Sequence, residues 1–430
     1  MKIKVKDLSY EEAMKRSIRY QSKKHVKPKK PNMFFRKLMN AMSKSELKAV
    51  NFKYEKINMD KLRRDEACLI LMNHSSFIDL KIASELLYPL PYNIVCTSDG
   101  FVGKEWLMRN LGCVPTQKFV MDRTLVNDII YCLKTLKCSV LMYPEASYSF
   151  DGTATTLPKS LGKMIKLLNI PIVMIKTYGA FLHDPLYNNL QKRKVDVSAT
   201  MEYILSPQDI KNCSVDEINE IVNKQFSFDH FKWQQDNNII VDEEFRADYL
   251  NRVLYKCTNC YREDGMLGKG TEITCRHCGL TYELTKEGIL VLKKYPEDEE
   301  KNKKVWKESM HIPDWYEWER QCVKQEISDG KYGLNIDVDI YMLVDMEAIY
   351  RVGEGTLIHN NEGFKLTGCN GKLNYVQKPL ASYSLYSDYY WYELGDMICI
   401  GDKKILYYCF PKSKYDVVAK TRLAVECLYK

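Results

Sequence analysis

The chain has 430 residues, 45% of them apolar, and a net charge of +8. That length exceeds what one hydrophobic core usually holds and predicts two to four domains. The 15 cysteines follow no signal-peptide pattern and point to a reducing cytosol rather than a disulfide scaffold. No run approaches the roughly 18 apolar residues of a spanning helix, so any membrane contact is expected to be peripheral.

The positive charge is concentrated at the start, where residues 1–64 hold 20 Lys/Arg against 6 Asp/Glu. Within this basic arm Asn32 can cap a helix that sets Phe34, Phe35, Leu38, Met39 and Met42 on one face, flanked by Arg36 and Lys37. Such a helix suits the anionic inner face of a membrane. The plainer reading is a solvated basic tail with one helix docked on its own domain, and nucleic acid is a third use for the lysines.

Residues 65–250 alternate short apolar runs with helical stretches. Strands are expected at 67–72, 92–96, 139–143, 172–176 and 195–204, helices near 79–88, 103–110, 124–137 and 158–168, and a longer helix from Ser214 to about Trp233. This pattern predicts an α/β unit with a mostly parallel, buried sheet. Strand 67–72 runs into Asn73-His74 and strand 139–143 into Pro144-Glu145-Ala146-Ser147. Sites in open α/β sheets form beyond the carboxyl ends of strands, so both segments should reach one rim. His74 and Asp79 read as a general base and the carboxylate that fixes its tautomer, although the spacing alone is weak and Tyr143-Pro144-Glu145 alone reads as a plain strand exit.

The order of these pieces resembles the glycerolipid acyltransferase superfamily, the 1-acyl-glycerol-3-phosphate acyltransferase-like enzymes. Asn73-His74-Ser75-Ser76-Phe77-Ile78-Asp79 looks like its first block, and Leu111-Gly112-Cys113-Val114-Pro115 leading to Asp122-Arg123 like its second. Tyr143-Pro144-Glu145-Ala146-Ser147-Tyr148-Ser149 looks like the third and Ile170-Pro171-Ile172-Val173-Met174 like the fourth. The third block usually reads Phe-Pro-Glu-Gly-Thr-Arg-Ser, so Ala146, Ser147 and Tyr148 are departures, and the lost arginine removes a bidentate phosphate donor. The resemblance implies an O-acyltransferase of phospholipid biosynthesis with catalytic His74 and Asp79. Glu145, Ser147, Arg123 and Lys118 would bind the acceptor, with Lys159 as another source of positive charge. Acyl-CoA or acyl-carrier protein would be the donor and a lysophospholipid the acceptor.

Residues 251–295 carry two Cys-x-x-Cys knuckles, Cys257/Cys260 and Cys275/Cys278, 14 residues apart. Four thiolates so placed can close a structural zinc site in a zinc ribbon, which leaves His277 a bystander. Strands are expected at 272–274 and 280–284; a redox pair or a nucleic-acid contact is the alternative use. Residues 296–332 read as a charged linker with an aromatic segment, His311 to Arg320, suited to packing on a neighbour. From 333 to 430 strict alternation and Asn-Gly turns predict antiparallel strands, then a helix from Asp416 to Tyr429. That order suggests a pleckstrin-homology-like β-barrel plus helix, with the tyrosines of 381–393 as cross-strand packing. A non-catalytic lipid-surface adaptor and a nucleic-acid scaffold built on the ribbon are the competing functions.

Overall fold

The computed structural model describes residues 2–119, 122–297, 305, 307–413 and 415–429. Its amino-terminal arm is not a free tail. Strand β1 (Val5–Asp7) adds in parallel to a strand of the carboxyl-terminal sheet, pairing Val5 with Ile349, and helix Tyr10–Gln21 follows behind a Ser9/Glu12 capping box. Helix Met33–Ala49 is capped by Asn32, as expected. The apolar face read from the sequence divides: Met39 packs inward beside buried Leu47, whereas Phe34, Leu38 and Met42 stay exposed.

The main sheet has seven strands: β2 (Lys53–Ile57), β3 (Leu69–Met72), β4 (Tyr92–Thr97), β5 (Cys113–Thr116), β6 (Ser139–Met142), β7 (Ile172–Tyr178) and β8 (Ser198–Leu205). Their order is β2-β8-β7-β3-β6-β4-β5, parallel except for the β7/β8 pair. Every residue of β3 is buried. Ile70 and Met72 join one core cluster and Leu69 and Leu71 the other, as a central strand covered on both faces requires. β3 and β6 lie side by side with Leu71 opposite Met142, so the His74 and Glu145 loops leave the sheet at the same rim.

Strands β2 and β5 were not foreseen, because β2 is an exposed, charged edge strand and β5 spans only four residues. The single helix expected from Ser214 to Trp233 is two, Val215–Phe226 and His230–Asp236. Asp229 breaks it by accepting a hydrogen bond from the Lys232 amide at 2.9 Å and so capping a new helix. The helix expected over 124–137 runs Arg123–Ile130 and then widens into a π turn, Tyr131–Thr135.

The ribbon has five antiparallel strands rather than two: β9 (Met266–Lys269), β10 (Glu272–Cys275), β11 (Thr281–Leu284), β12 (Leu290–Lys294) and β13 (Ser309–Met310). Part of the charged linker, residues 298–304 and 306, lies outside the described residues. The aromatic segment after it is the first half of helix Ile312–Ser328, where Trp315 is fully buried and donates to the Lys256 carbonyl at 3.0 Å.

Seven antiparallel strands follow: β14 (Leu334–Leu343), β15 (Ile349–Asn360), β16 (Gly363–Gly368), β17 (Leu373–Gln377), β18 (Tyr386–Trp391), β19 (Gly395–Gly401) and β20 (Leu406–Pro411). They are ordered β17-β16-β15-β14-β20-β19-β18, and helix Val418–Leu428 comes last. Among the described residues no ladder joins β17 to β18, so the sheet is hydrogen-bonded as an open one rather than the closed barrel expected. One core cluster runs from Phe150 and Phe181 beside the main sheet, through Cys257 and Tyr282 of the ribbon, to Tyr389 and Ile398 of this sheet. The ribbon and this sheet therefore share buried apolar surface with the loops beside the main sheet.

Candidate active site

The site begins where β3 ends. Asp79 opens helix Asp79–Leu87 and is 1% exposed. Its Oδ2 accepts from the amides of Ser75 (2.8 Å) and Ser76 (3.0 Å) and lies 3.2 Å from His74 Nδ1. These two amides and the helix start fix the carboxylate beside the imidazole. An acceptor at this position places the imidazole proton on Nδ1 and turns Nε2 toward the cavity as a free base. Burial lowers the His74 pKa below its ordinary value, and Asp79 opposes that shift. The imidazole is consequently neutral near pH 7.

Two tyrosines hold the ring flat. Tyr143 stacks on it at 4.2 Å and 27°, and Tyr148 lies at 4.1 Å and 30°. A ring between two aromatic faces cannot swing, so the imidazole is held in one orientation.

Glu145 and Ser147 were expected to touch the acceptor, yet both side chains lie beneath the wall. Glu145 Oε2 accepts from the His74 amide at 2.9 Å and Oε1 from the Thr155 amide at 2.8 Å. Glu145 is 3% exposed, and burial pushes its carboxyl up to about 7 against those two donors. It braces the first and third loops against each other. Ser147 is fully buried and its hydroxyl has no partner among the described residues. Behind the loop, Ser75 Oγ meets His230 Nε2 at 3.1 Å, and the Ser76 hydroxyl donates to Asp184. Asn73 Oδ1 accepts from the Thr177 amide at 2.9 Å, tying the loop to the end of β7.

A cavity of 2320 Å³ opens over this loop. Single small-molecule sites usually occupy about 300–1,000 Å³, so this one has room for two reactants. His74, Lys118, Arg123 and Lys159 line it, as does an apolar wall of Leu125, Leu157, Leu161, Met164 and Leu167. Lys118 is half-buried, with Nζ 4.2 Å from the centre of the Tyr386 ring. Arg123 is exposed at the start of its helix.

Residues 53–176 match the family model described as Acyltransferase. This segment is an acyltransferase domain. The match starts at β2, inside the stretch expected to be an arm of 64 residues, and takes in His74, Asp79, Lys118, Arg123, Glu145 and Ser147. No curated protein matches the chain. In structure it is similar to the 1-acyl-sn-glycerophosphate (LPA) acyltransferase PlsC from Thermotoga maritima, with a TM-score of 0.36 and 16% identity over 44% of this chain and 77% of that one.

Outside the acyltransferase domain the four ribbon cysteines converge. Their sulfurs all lie within 4.8 Å of one another, with Cys257 and Cys278 at 3.7 Å and Cys260 and Cys275 at 3.6 Å. Tetrahedral zinc with bonds of about 2.3 Å sets its sulfurs about 3.8 Å apart, so the group fits such an ion with no position left open. Gly279, at φ +72°, turns the chain after the second knuckle. His277 stands aside, its ring nitrogens engaged at 2.8 Å by Arg262 and by Asp264.

Sequence reasoning missed the residues that arrive from a distance. Tyr386 and Asp388 of β18 line the acyltransferase cavity, although the tyrosine run holding them reads as packing. The signal available was a carboxylate and a tyrosine two residues apart on an alternating strand, which is too common to single out.

Proposed function

We propose that this protein transfers a fatty acyl group from a thioester, acyl-CoA or acyl-carrier protein, to the hydroxyl of a lysophospholipid such as 1-acylglycerol-3-phosphate or a relative. The observation that carries the reading is the His74 imidazole, held by Asp79 at Nδ1 with Nε2 turned to a cavity large enough for two substrates. The acceptor hydroxyl attacks the thioester carbonyl while His74 Nε2 takes its proton; the carbon–sulfur bond breaks, and the thiolate leaves with that proton. Asp79 offsets the imidazolium charge that forms. Lys118 and Arg123 meet the acceptor phosphate, and the apolar wall takes an acyl chain. No covalent enzyme intermediate is required.

The four cysteines hold a structural zinc ion in this reading. Contact with an anionic membrane surface is supported by exposed Phe34, Leu38, Met42 and Trp106 on neighbouring helices, which are joined where Phe35 packs edge-on to Trp106 at 5.7 Å. No helix among the described residues is long and apolar enough to cross a membrane.

The test is His74→Ala with labelled acyl-CoA and a panel of lysophospholipids. Acyl transfer is expected to fall at least about 10³-fold, with melting temperature and metal content at wild-type values. Transfer at the wild-type rate would remove the mechanism; no transfer by the wild type to any lipid would favour the adaptor reading.

A further inference from the structure

The carboxyl-terminal sheet contributes more to the cavity than cover. Tyr386 donates its hydroxyl to Asp99 at 3.1 Å and accepts from the Trp391 indole at 3.1 Å. Its ring is thereby fixed as a platform for the Lys118 ammonium. Lys118 makes no hydrogen bond and no ion pair with any described residue.

Two residues further along β18, Asp388 faces the same cavity. It is 9% exposed. One of its oxygens accepts from the Tyr389 amide at 3.2 Å; the other has no partner among the described residues. Alternation along a strand puts residues 386 and 388 on one side, roughly 6.5–7 Å apart. The lysine and the aspartate attract each other across the gap without touching, and burial disfavours both charges, lowering the lysine pKa and raising that of the aspartate to about 6. Leaving two charges half-desolvated and unjoined is costly unless something else pairs with them.

An acceptor with a bare phosphate would satisfy Lys118 and be repelled by Asp388. A neutral acceptor would satisfy neither. An acceptor with an anion and a cation a few atoms apart satisfies both. We propose that the cavity binds a lysophospholipid whose phosphate is joined to an ammonium group, as in phosphoethanolamine or phosphocholine, with the phosphate on Lys118 and the ammonium on Asp388. This names the acceptor class of the acyl transfer proposed above and rests on that reading.

Binding without an acyl donor tests it separately from catalysis. Lysophosphatidylethanolamine, lysophosphatidylcholine and lysophosphatidylglycerol of one short chain length, each below its micelle concentration, are titrated calorimetrically into the full-length protein. At least one ammonium-bearing lipid is expected to bind tenfold or more tightly than the glycerol one, whose phosphodiester has the same charge. Ethanolamine leads if hydrogen bonds to Asp388 dominate, and the two bind alike if charge alone does. Asp388→Asn should shrink that ratio below about threefold, and Asp388→Glu should restore it. Equal binding of all three lipids by the wild type, or an undiminished ratio in a folded Asp388→Asn protein, overturns the proposal. Discriminating binding with no turnover would instead sink only the acyltransferase reading.

Discussion

The His74 pocket and the four-cysteine cluster are each built from two short segments brought together by a sheet, and they differ in what is left open. In the ribbon every sulfur faces its three neighbours, and the nearby histidine is occupied elsewhere. In the pocket, Asp79 Oδ1, Ser147 Oγ and His230 Nδ1 are buried without partners among the described residues, and Ala146 sits at φ +55°. Unsatisfied atoms and strained backbone cost stability, and folds retain them where an incoming group completes the arrangement. The first knuckle carries one such atom, the buried Thr258 hydroxyl, and a positive φ of 61° at Tyr261. The pocket gathers three around one imidazole loop.

The largest effect that can separate the two is expected from Cys257→Ser. Removing one thiolate from a closed tetrahedral set should release the metal, and structural zinc supplies about 10–16 kcal/mol of folding free energy in isolated finger peptides. Here the neighbouring strands and the shared core retain part of the fold, so a drop of roughly 10 °C in melting temperature is expected. Metal should fall from one equivalent per chain to none by elemental analysis. Because Cys257, Phe150 and Tyr389 belong to one core cluster, acyl transfer should decline as well, through the cavity wall rather than the chemistry. A mutant that keeps one metal ion per chain would show that the cysteines are not its ligands.

The same contrast explains what could be read from the sequence. The knuckles were legible because all four ligands lie within 22 residues and thiolate spacing is stereotyped. His74 and Asp79 were legible because one loop and one helix start contain both. Strand β3 announced itself through its continuous apolar run, and β2 did not because its outward residues are charged. Tyr148 was visible only as a departure from a motif; its stacking on His74 depends on how the turn at Ala146 folds, which periodicity does not encode. The motif places Glu145 at the substrate because motifs report identity and not direction: its carboxylate points at two backbone amides. Asp388 lies more than 300 residues from His74 in the chain, and only the shared core brings β18 to the cavity.

Asp79→Asn sharpens the contrast from the pocket side. An amide oxygen can still accept from Ser75 and Ser76, so the loop should hold, but the charge that fixes the His74 tautomer is gone. A loss of about 10²–10³-fold in kcat is expected. The pH profile adds a signature that a merely structural role would not give. The working form of His74 is neutral and burial depresses its pKa below the ordinary imidazole value, so the wild-type rate should fall only toward acid. Asp79 raises that pKa, so its neutralisation should move the acid limb to still lower pH while the plateau drops. An acid limb that stays in place would mean the carboxylate does not act through the imidazole.

The smallest effect belongs to Ala146→Gly and concerns what the pocket gives up. Ala146 adopts φ +55° in the turn that its amide closes on the Tyr143 carbonyl at 3.0 Å, a conformation that costs a residue with a β-carbon about 1–2 kcal/mol. Glycine removes that cost and brings a larger loss of chain entropy, so the net gain should be about 0.5–1 kcal/mol. That corresponds to a rise of roughly 1–3 °C in melting temperature for a chain of this size. A fall instead would mean that the methyl group, which lines the cavity, stabilises the turn by packing more than its backbone strain costs. The strain would then be offset within the pocket wall itself, and Tyr148, two residues on, would owe its position over His74 to that packing.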